Sequence, residues 1–174
     1  NLGFIVFGRI AQAVAQKAHF GFGMEISFYD PYPPSDDVIN KYSATKMDTV
    51  EDVLKGADFV TLHCPGGGSN TNLMNKERLG MMPKHAFLIN TARGDVVDEP
   101  ALVQALKDGV IAGAGLDVFA KEPSVTEDLL SMENVVLLPH LGSATTETRV
   151  AMGLRSLGNV EAFFDGKEPG DRVA

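Results

Sequence analysis

A chain of 174 residues, 44% apolar and 22% charged, is long enough to bury one substantial core and has the composition of an ordinary globular domain. Its net charge of −8 argues against a nucleic-acid or anionic-membrane surface, since both need clustered Lys and Arg. The single cysteine, Cys64, excludes an internal disulfide framework and fits a reducing, cytoplasmic setting, and no apolar run approaches the roughly 18 residues of a membrane span.

Apolar runs of strand length alternate with helical patterns, which predicts an α/β, doubly wound, mostly parallel sheet covered on both faces. A strand over 2–6 leads into a helix over 9–20, where Ile10, Ala13, Val14 and Ala18 fall near helical spacing. A second strand, 25–29, stops at Asp30-Pro31-Tyr32-Pro33-Pro34, which cannot continue a ladder. A short helix over 49–55 precedes a third strand, 58–63. The stretch Pro65-Gly66-Gly67-Gly68-Ser69-Asn70 has a linker's composition, but a helix over 75–82 follows it closely, so it reads as a surface loop. A fourth strand covers 86–90. Asp98 can cap a helix running to Lys107, with Gly109 at its exit. Strands over 112–118 and 135–138 complete the sheet, and a long helix over 145–164 ends at Asp165-Gly166.

Three polar residues follow apolar runs that read as buried strands: Arg93, Glu122 and His140. In an open parallel sheet the ligand crevice lies at the carboxyl ends of the strands. A cation, a carboxylate and an imidazole on successive strands could hold a substrate carboxylate, polarise a carbonyl and move a proton. Alone, each is more often a surface charge; together they read as a site.

A dinucleotide site needs a glycine-rich turn from strand to helix, with an acid about 20 residues on for the ribose hydroxyls. Here the turn is Val6-Phe7-Gly8-Arg9-Ile10-Ala11 and the acid is Asp30. Gly8 lets backbone approach a pyrophosphate. Val6 departs from the pattern, because a β-branched residue tolerates the first glycine's positive φ poorly. An acid at Asp30 repels a 2′-phosphate, which favours NAD over NADP.

The blocks Phe7-Gly8-Arg9-Ile10, Asn90-Thr91-Ala92-Arg93-Gly94, Gly115-Leu116-Asp117-Val118-Phe119 with Glu122-Pro123, and Pro139-His140-Leu141-Gly142-Ser143-Ala144-Thr145 resemble the D-isomer-specific 2-hydroxyacid dehydrogenase family. The likeness is to its Rossmann-type nucleotide-binding domain and covers essentially the whole chain. It implies that Arg93 holds the substrate carboxylate and keto oxygen, that His140 donates the proton, and that Glu122 orients and charges His140. It places Gly8, Arg9 and Ile10 at the pyrophosphate, Asp30 at the adenosine ribose, and Cys64 and Pro65 near the adenine. Thr91, Ala92, Asp117, Gly142 and Ser143, with Arg93 and His140, would surround the nicotinamide half. The Gly142-Ser143-Ala144-Thr145 stretch points to the glyoxylate, hydroxypyruvate and glycerate branch. Gly66-Gly67 stand where the family usually carries a Leu-Thr pair.

The resemblance further implies an NAD-dependent enzyme acting on a small 2-keto acid. Residues 1–174 would be its cofactor domain, lacking an N-terminal substrate domain, and the full-length protein a homodimer. The isolated chain is expected to turn over no keto acid. Two rivals share the fold: a phosphite dehydrogenase and a non-catalytic, NAD-sensing corepressor. Formate enzymes carry a glutamine where Glu122 stands, which argues against that branch. His19 and His85 read as solvated, and Met81 and Met82 as packing. His63 and Cys64 would point to opposite faces of a strand, and no spacing suggests a metal site.

Overall fold

The computed structural model describes residues 1–172. Its strands are β1 (Leu2–Ile5), β2 (Ile26–Tyr29), β3 (Thr45–Lys46), β4 (Phe59–Leu62), β5 (Phe87–Asn90), β6 (Gly113–Leu116) and β7 (Val135–Leu137). They form one wholly parallel sheet in the order β3-β2-β1-β4-β5-β6-β7. The winding reverses between β1 and β4, so a crevice opens there at the carboxyl ends. Ile5, Leu62, Asn90 and Leu116 lie level across that edge.

On one face Ile5, Val60, Leu62, Leu88 and Leu116 share a core with residues of α3 (Val50–Gly56) and α5 (Glu99–Lys107). The other face packs Leu2, Phe4 and Phe28 with α1 (Arg9–Phe22). The buried stripe of α1 is Ala11, Ala15 and Ala18, whereas Ile10 is 70% exposed and Ala13 is exposed. The sequence pattern put Ile10 and Ala13 inward; the packing selects short side chains instead. Phe4, Phe7 and Phe28 fill the space beneath, Phe7 stacking on Phe28 at 4.6 Å and meeting Phe4 edge-on at 5.2 Å.

Short polar side chains cap the starts of α3 and three later helices, whereas Ser35 and Thr126 stand at helix starts without a side-chain cap bond. Thr49, Asn75, Asp98 and Thr145 each accept a backbone N–H from the first turn of α3, α4 (Lys76–Leu79), α5 and α7 (Thr146–Phe164). The brief α2 (Asp36–Lys41), β3 and α6 (Glu127–Leu130) are additions to the expected pattern. None of them is long enough to carry a periodicity, and the two residues of β3 are exposed. The last strand also differs from its expected burial: β7 is a sheet edge, and Val136 is 65% exposed.

The chain divides into two compact units, Asn1–Pro139 and His140 onward. Within the second, Gly166 follows the end of α7, and its φ of 71° lets Gly166 and Lys167 donate N–H groups back to Phe163 and Ala162. Arg155 pairs with Asp171 near the end of that unit.

Candidate active site

The turn between β1 and α1 is held from both sides. Val6 donates its N–H to the Tyr29 carbonyl at 2.8 Å, and Phe7 donates its own to Asp30 Oδ2 at 2.8 Å. Val6 sits at φ 71°, the conformation of a glycine in such turns. Gly8 then caps α1 without any side-chain hydrogen bond, and a Cβ on it would meet nothing within 4 Å. Arg9 and Ile10 are exposed in the first turn. The start of this 14-residue helix is therefore open to an anion, with free N–H groups and the positive end of the helix dipole.

Beside the turn lies a cavity of about 520 Å³ whose lining includes Val6, Asp30, Tyr32, Cys64, Pro65 and Arg78. Asp30 is buried, and its second oxygen accepts the Tyr32 N–H at 2.8 Å. Burial pushes the Cys64 thiol up, so it is a neutral wall. Arg78 is committed elsewhere: Nε donates to Glu51 at 2.9 Å and a terminal nitrogen to the Leu73 carbonyl at 2.9 Å. An apolar, concave pocket with one buried carboxylate beside an open helix N-terminus fits the adenosine and pyrophosphate of a dinucleotide.

At the carboxyl edge of β5, Asn90 is 1% exposed and shapes the turn that carries Arg93. Its Oδ1 accepts the Ala92 N–H at 3.0 Å and its Nδ2 donates to the Arg93 carbonyl at 2.9 Å. The Arg93 guanidinium is exposed and donates to the Ala92 carbonyl, and Thr91 beside it is exposed as well. Gly94 has no room for a side chain, since a Cβ would strike the Phe119 carbonyl. That contact seats the arginine loop directly on the loop after β6.

The loop after β6 begins with buried Asp117, whose N–H donates to the Asn90 carbonyl at 3.0 Å. Glu122 is exposed and accepts the Phe119 N–H at 3.0 Å. Glu99, 8% exposed in the first turn of α5, accepts the Ala120 N–H at 3.0 Å and the Thr126 hydroxyl. A third tie comes from Asp95, which accepts the Gly67 N–H at 2.7 Å and draws the glycine loop onto the arginine loop.

Arg93, Asp117 and Glu122 thus share one edge of the first unit, and Gly8, Asp30, Cys64 and Pro65 flank the switch point of the same sheet. His140, Gly142 and Ser143 belong to the second unit; the chain reaches His140, at φ 54°, through Leu138-Pro139 after β7. The sequence reading assigned no role to Asn90, Asp95 or Glu99. The habit of Asn and Asp side chains of bonding nearby backbone was the available signal for Asn90.

The remaining histidines are placed differently from one another. His63 stacks on Phe4 at 5.6 Å, meets the Thr61 hydroxyl at 3.0 Å, and is held down to a pKa of about 4 by burial. Cys64 faces the cavity on the opposite side, as strand alternation requires. His85 is exposed beside Asp58. His19 was expected in solvent but is half-buried, with Nδ1 3.1 Å from the Met24 carbonyl at the end of α1.

A parallel sheet of this order, a glycine turn at its switch point and an Arg–Glu pair of loops at its carboxyl edge define a nucleotide-binding domain of the dehydrogenase type. The sequence model of the D-isomer specific 2-hydroxyacid dehydrogenase, NAD binding domain, matches residues 1–142, and the chain belongs to that family. It is 45% identical over 169 residues to the glyoxylate reductase of Thermococcus kodakarensis, covering 97% of this chain and 50% of the relative. It is 44% identical over 168 residues to glyoxylate/hydroxypyruvate reductase B of Erwinia tasmaniensis, covering 96% and 52%. The crystal structure of an NADPH-dependent glyoxylate/hydroxypyruvate reductase from Sinorhizobium meliloti, in complex with NADP and malonate, is similar at a TM-score of 0.93 and 38% identity, covering 100% of this chain and 53% of that one. The holo form of Rhodotorula graminis D-mandelate dehydrogenase gives a TM-score of 0.93 at 31% identity, covering 99% and 51%. The chain spans about half the length of the curated relatives it matches.

Proposed function

We propose that this chain is the cofactor half of an NADH-dependent reductase of small 2-keto acids, with glyoxylate or hydroxypyruvate as substrate. The observation that carries the reading is the fastening of the arginine loop to the Glu122 loop, directly through Gly94 and, from the start of the helix that follows it, through Glu99, at the edge of a dinucleotide-binding sheet. A second half of comparable length, as the relatives have, would supply the opposite wall of the cleft and the dimer contact.

When bound, the nicotinamide supplies the hydride. Arg93 would bind the substrate carboxylate and keto oxygen, its planar fork matching a carboxylate better than an ammonium does. His140 would donate the proton as negative charge grows on the oxygen, with Glu122 keeping the imidazole charged and oriented. Gly8, Arg9 and Ile10 would meet the pyrophosphate, with Cys64 and Pro65 beside the adenine. Thr91, Ala92, Asp117, Gly142 and Ser143 would surround the nicotinamide. NADH is favoured over NADPH because Asp30, as the ribose contact, would face a 2′-phosphate, and Arg78, the cation lining that cavity, is engaged by Glu51.

The test is NADH oxidation by the purified protein, in its full-length form, with glyoxylate and hydroxypyruvate. Arg93→Ala should raise the keto-acid KM, and His140→Gln should lower kcat by about a hundredfold or more with NADH affinity unchanged. NADH binding without turnover of any 2-keto acid would overturn the reductase reading.

A further inference from the structure

We infer that Val6 limits cofactor affinity: it is a branched residue lining the cofactor cavity at a backbone position shaped for glycine. The inference rests on the reading of that cavity as a dinucleotide site. Val6 has φ 71°, where L side chains are rare and β-branched ones rarer. It cannot relax to a negative φ, because its neighbours are fastened on every side. The Ile5 carbonyl accepts the His63 N–H at 2.9 Å, Val6 donates to Tyr29, and Phe7 donates to Asp30. Phe7 itself is 1% exposed between Phe4 and Phe28.

Held this way, Val6 packs against the core on one side and lines the cavity with Asp30 and Tyr32 on the other. Glycine in the same conformation would leave the volume of the two γ-methyl groups to the ligand. Gly8, two residues on, shows the contrast: a Cβ there would meet only open space.

Two consequences of the valine separate cleanly. Backbone strain is present with and without ligand, so it changes the stability of the fold and not affinity. Side-chain volume in the cavity matters only when the cavity is filled, so it changes affinity. Val6→Gly removes both, while Val6→Ala keeps a Cβ at positive φ and removes only the methyl groups.

The experiment is fluorescence titration with NADH and calorimetric titration with ADP-ribose, on the parent chain and both variants, with thermal unfolding alongside. Val6→Gly should tighten NADH by about fivefold or more, and Val6→Ala should recover most of that gain. ADP-ribose should gain by the same factor, because Val6 lines the adenosine side, and nicotinamide mononucleotide should gain nothing. Dissociation constants within about twofold of the parent, or weaker, for both variants would overturn the inference. A gain in melting temperature with no gain in affinity would assign Val6 to backbone strain alone and overturn it too. Failure of the folded parent and both variants to bind either dinucleotide probe would remove the cofactor reading itself, and this inference with it.

Discussion

Asp30 fastens the turn that it is proposed to serve: its Oδ2 accepts the Phe7 N–H at 2.8 Å, joining the end of β2 to the glycine turn. Its Oδ1 accepts the Tyr32 N–H, so each oxygen keeps a lone pair for a ribose hydroxyl. A 2′-phosphate would meet this carboxylate with no uncommitted cation among the cavity's lining residues. NADH should therefore bind at least about tenfold more tightly than NADPH, a difference of about 1.4 kcal/mol. Equal dissociation constants for the two would defeat the assignment. Asp30→Ala should lose the discrimination and also stability, because the Phe7 N–H is left buried without a partner.

Gly66 lies against the arginine loop more closely than a side chain allows. A Cβ there would sit 2.6 Å from Asp95 Oδ1 and 3.0 Å from the Arg93 Cβ and Cγ. Gly66→Ala must displace Asp95, and with it the bond to Gly67, or push Arg93 from its place. The expected cost is about 1–3 kcal/mol of stability, together with a raised keto-acid KM and an unchanged NADH dissociation constant. A variant as stable and active as the parent would show the loop free to move.

These ties mark the limit of what the sequence made legible. The helix starts at Thr49, Asn75, Asp98 and Thr145 could be read because a cap and its helix are neighbours in the chain. The places of the strand-to-helix turn, of Asp30 after β2 and of the loops of Arg93 and Glu122 were legible because a short motif carries each. Asp95 and Glu99 were not, since their partners Gly67, Ala120 and Thr126 are 28, 21 and 27 residues away. Ile10 was placed inward because apolar spacing cannot see that α1 needs alanines above three phenylalanine rings. The exposure of Val136 depends on β7 being the sheet edge, which no local pattern states.

Glu99 offers a measure of how strongly the two loops are fastened. The carboxylate is buried and satisfied by the Ala120 N–H and the Thr126 hydroxyl. Glu99→Ala leaves both donors without a partner, and the expected loss is about 2–4 kcal/mol in urea unfolding. Glu99→Gln keeps one acceptor oxygen and should lose about half as much. A loss below about 0.5 kcal/mol for the alanine variant would show that water replaces the clamp and that the loops are not held by it.

The acid side of the stability profile should carry the signature of His63. Burial lowers its pKa from 6.5 to about 4, so the native imidazole stays neutral where the unfolded one takes a proton. The folded value lies below the unfolded one, so the stabilisation is complete above about pH 6.5 and is lost as pH falls toward 4. From about pH 6.5 to pH 5 the linkage amounts to at most about 2 kcal/mol, reduced by whatever water reaches the ring. The carboxylates held low by their partners, Glu51 and Asp58, contribute only below about pH 4.5, outside the window in which His63 acts. His63→Gln keeps a polar group within reach of Thr61 and removes the titration. Urea unfolding at about pH 7 and pH 5 should show a loss of 1–2 kcal/mol for the parent and a clearly smaller one for the variant. Parallel pH profiles for the two proteins would place the titrating group elsewhere and His63 in contact with water.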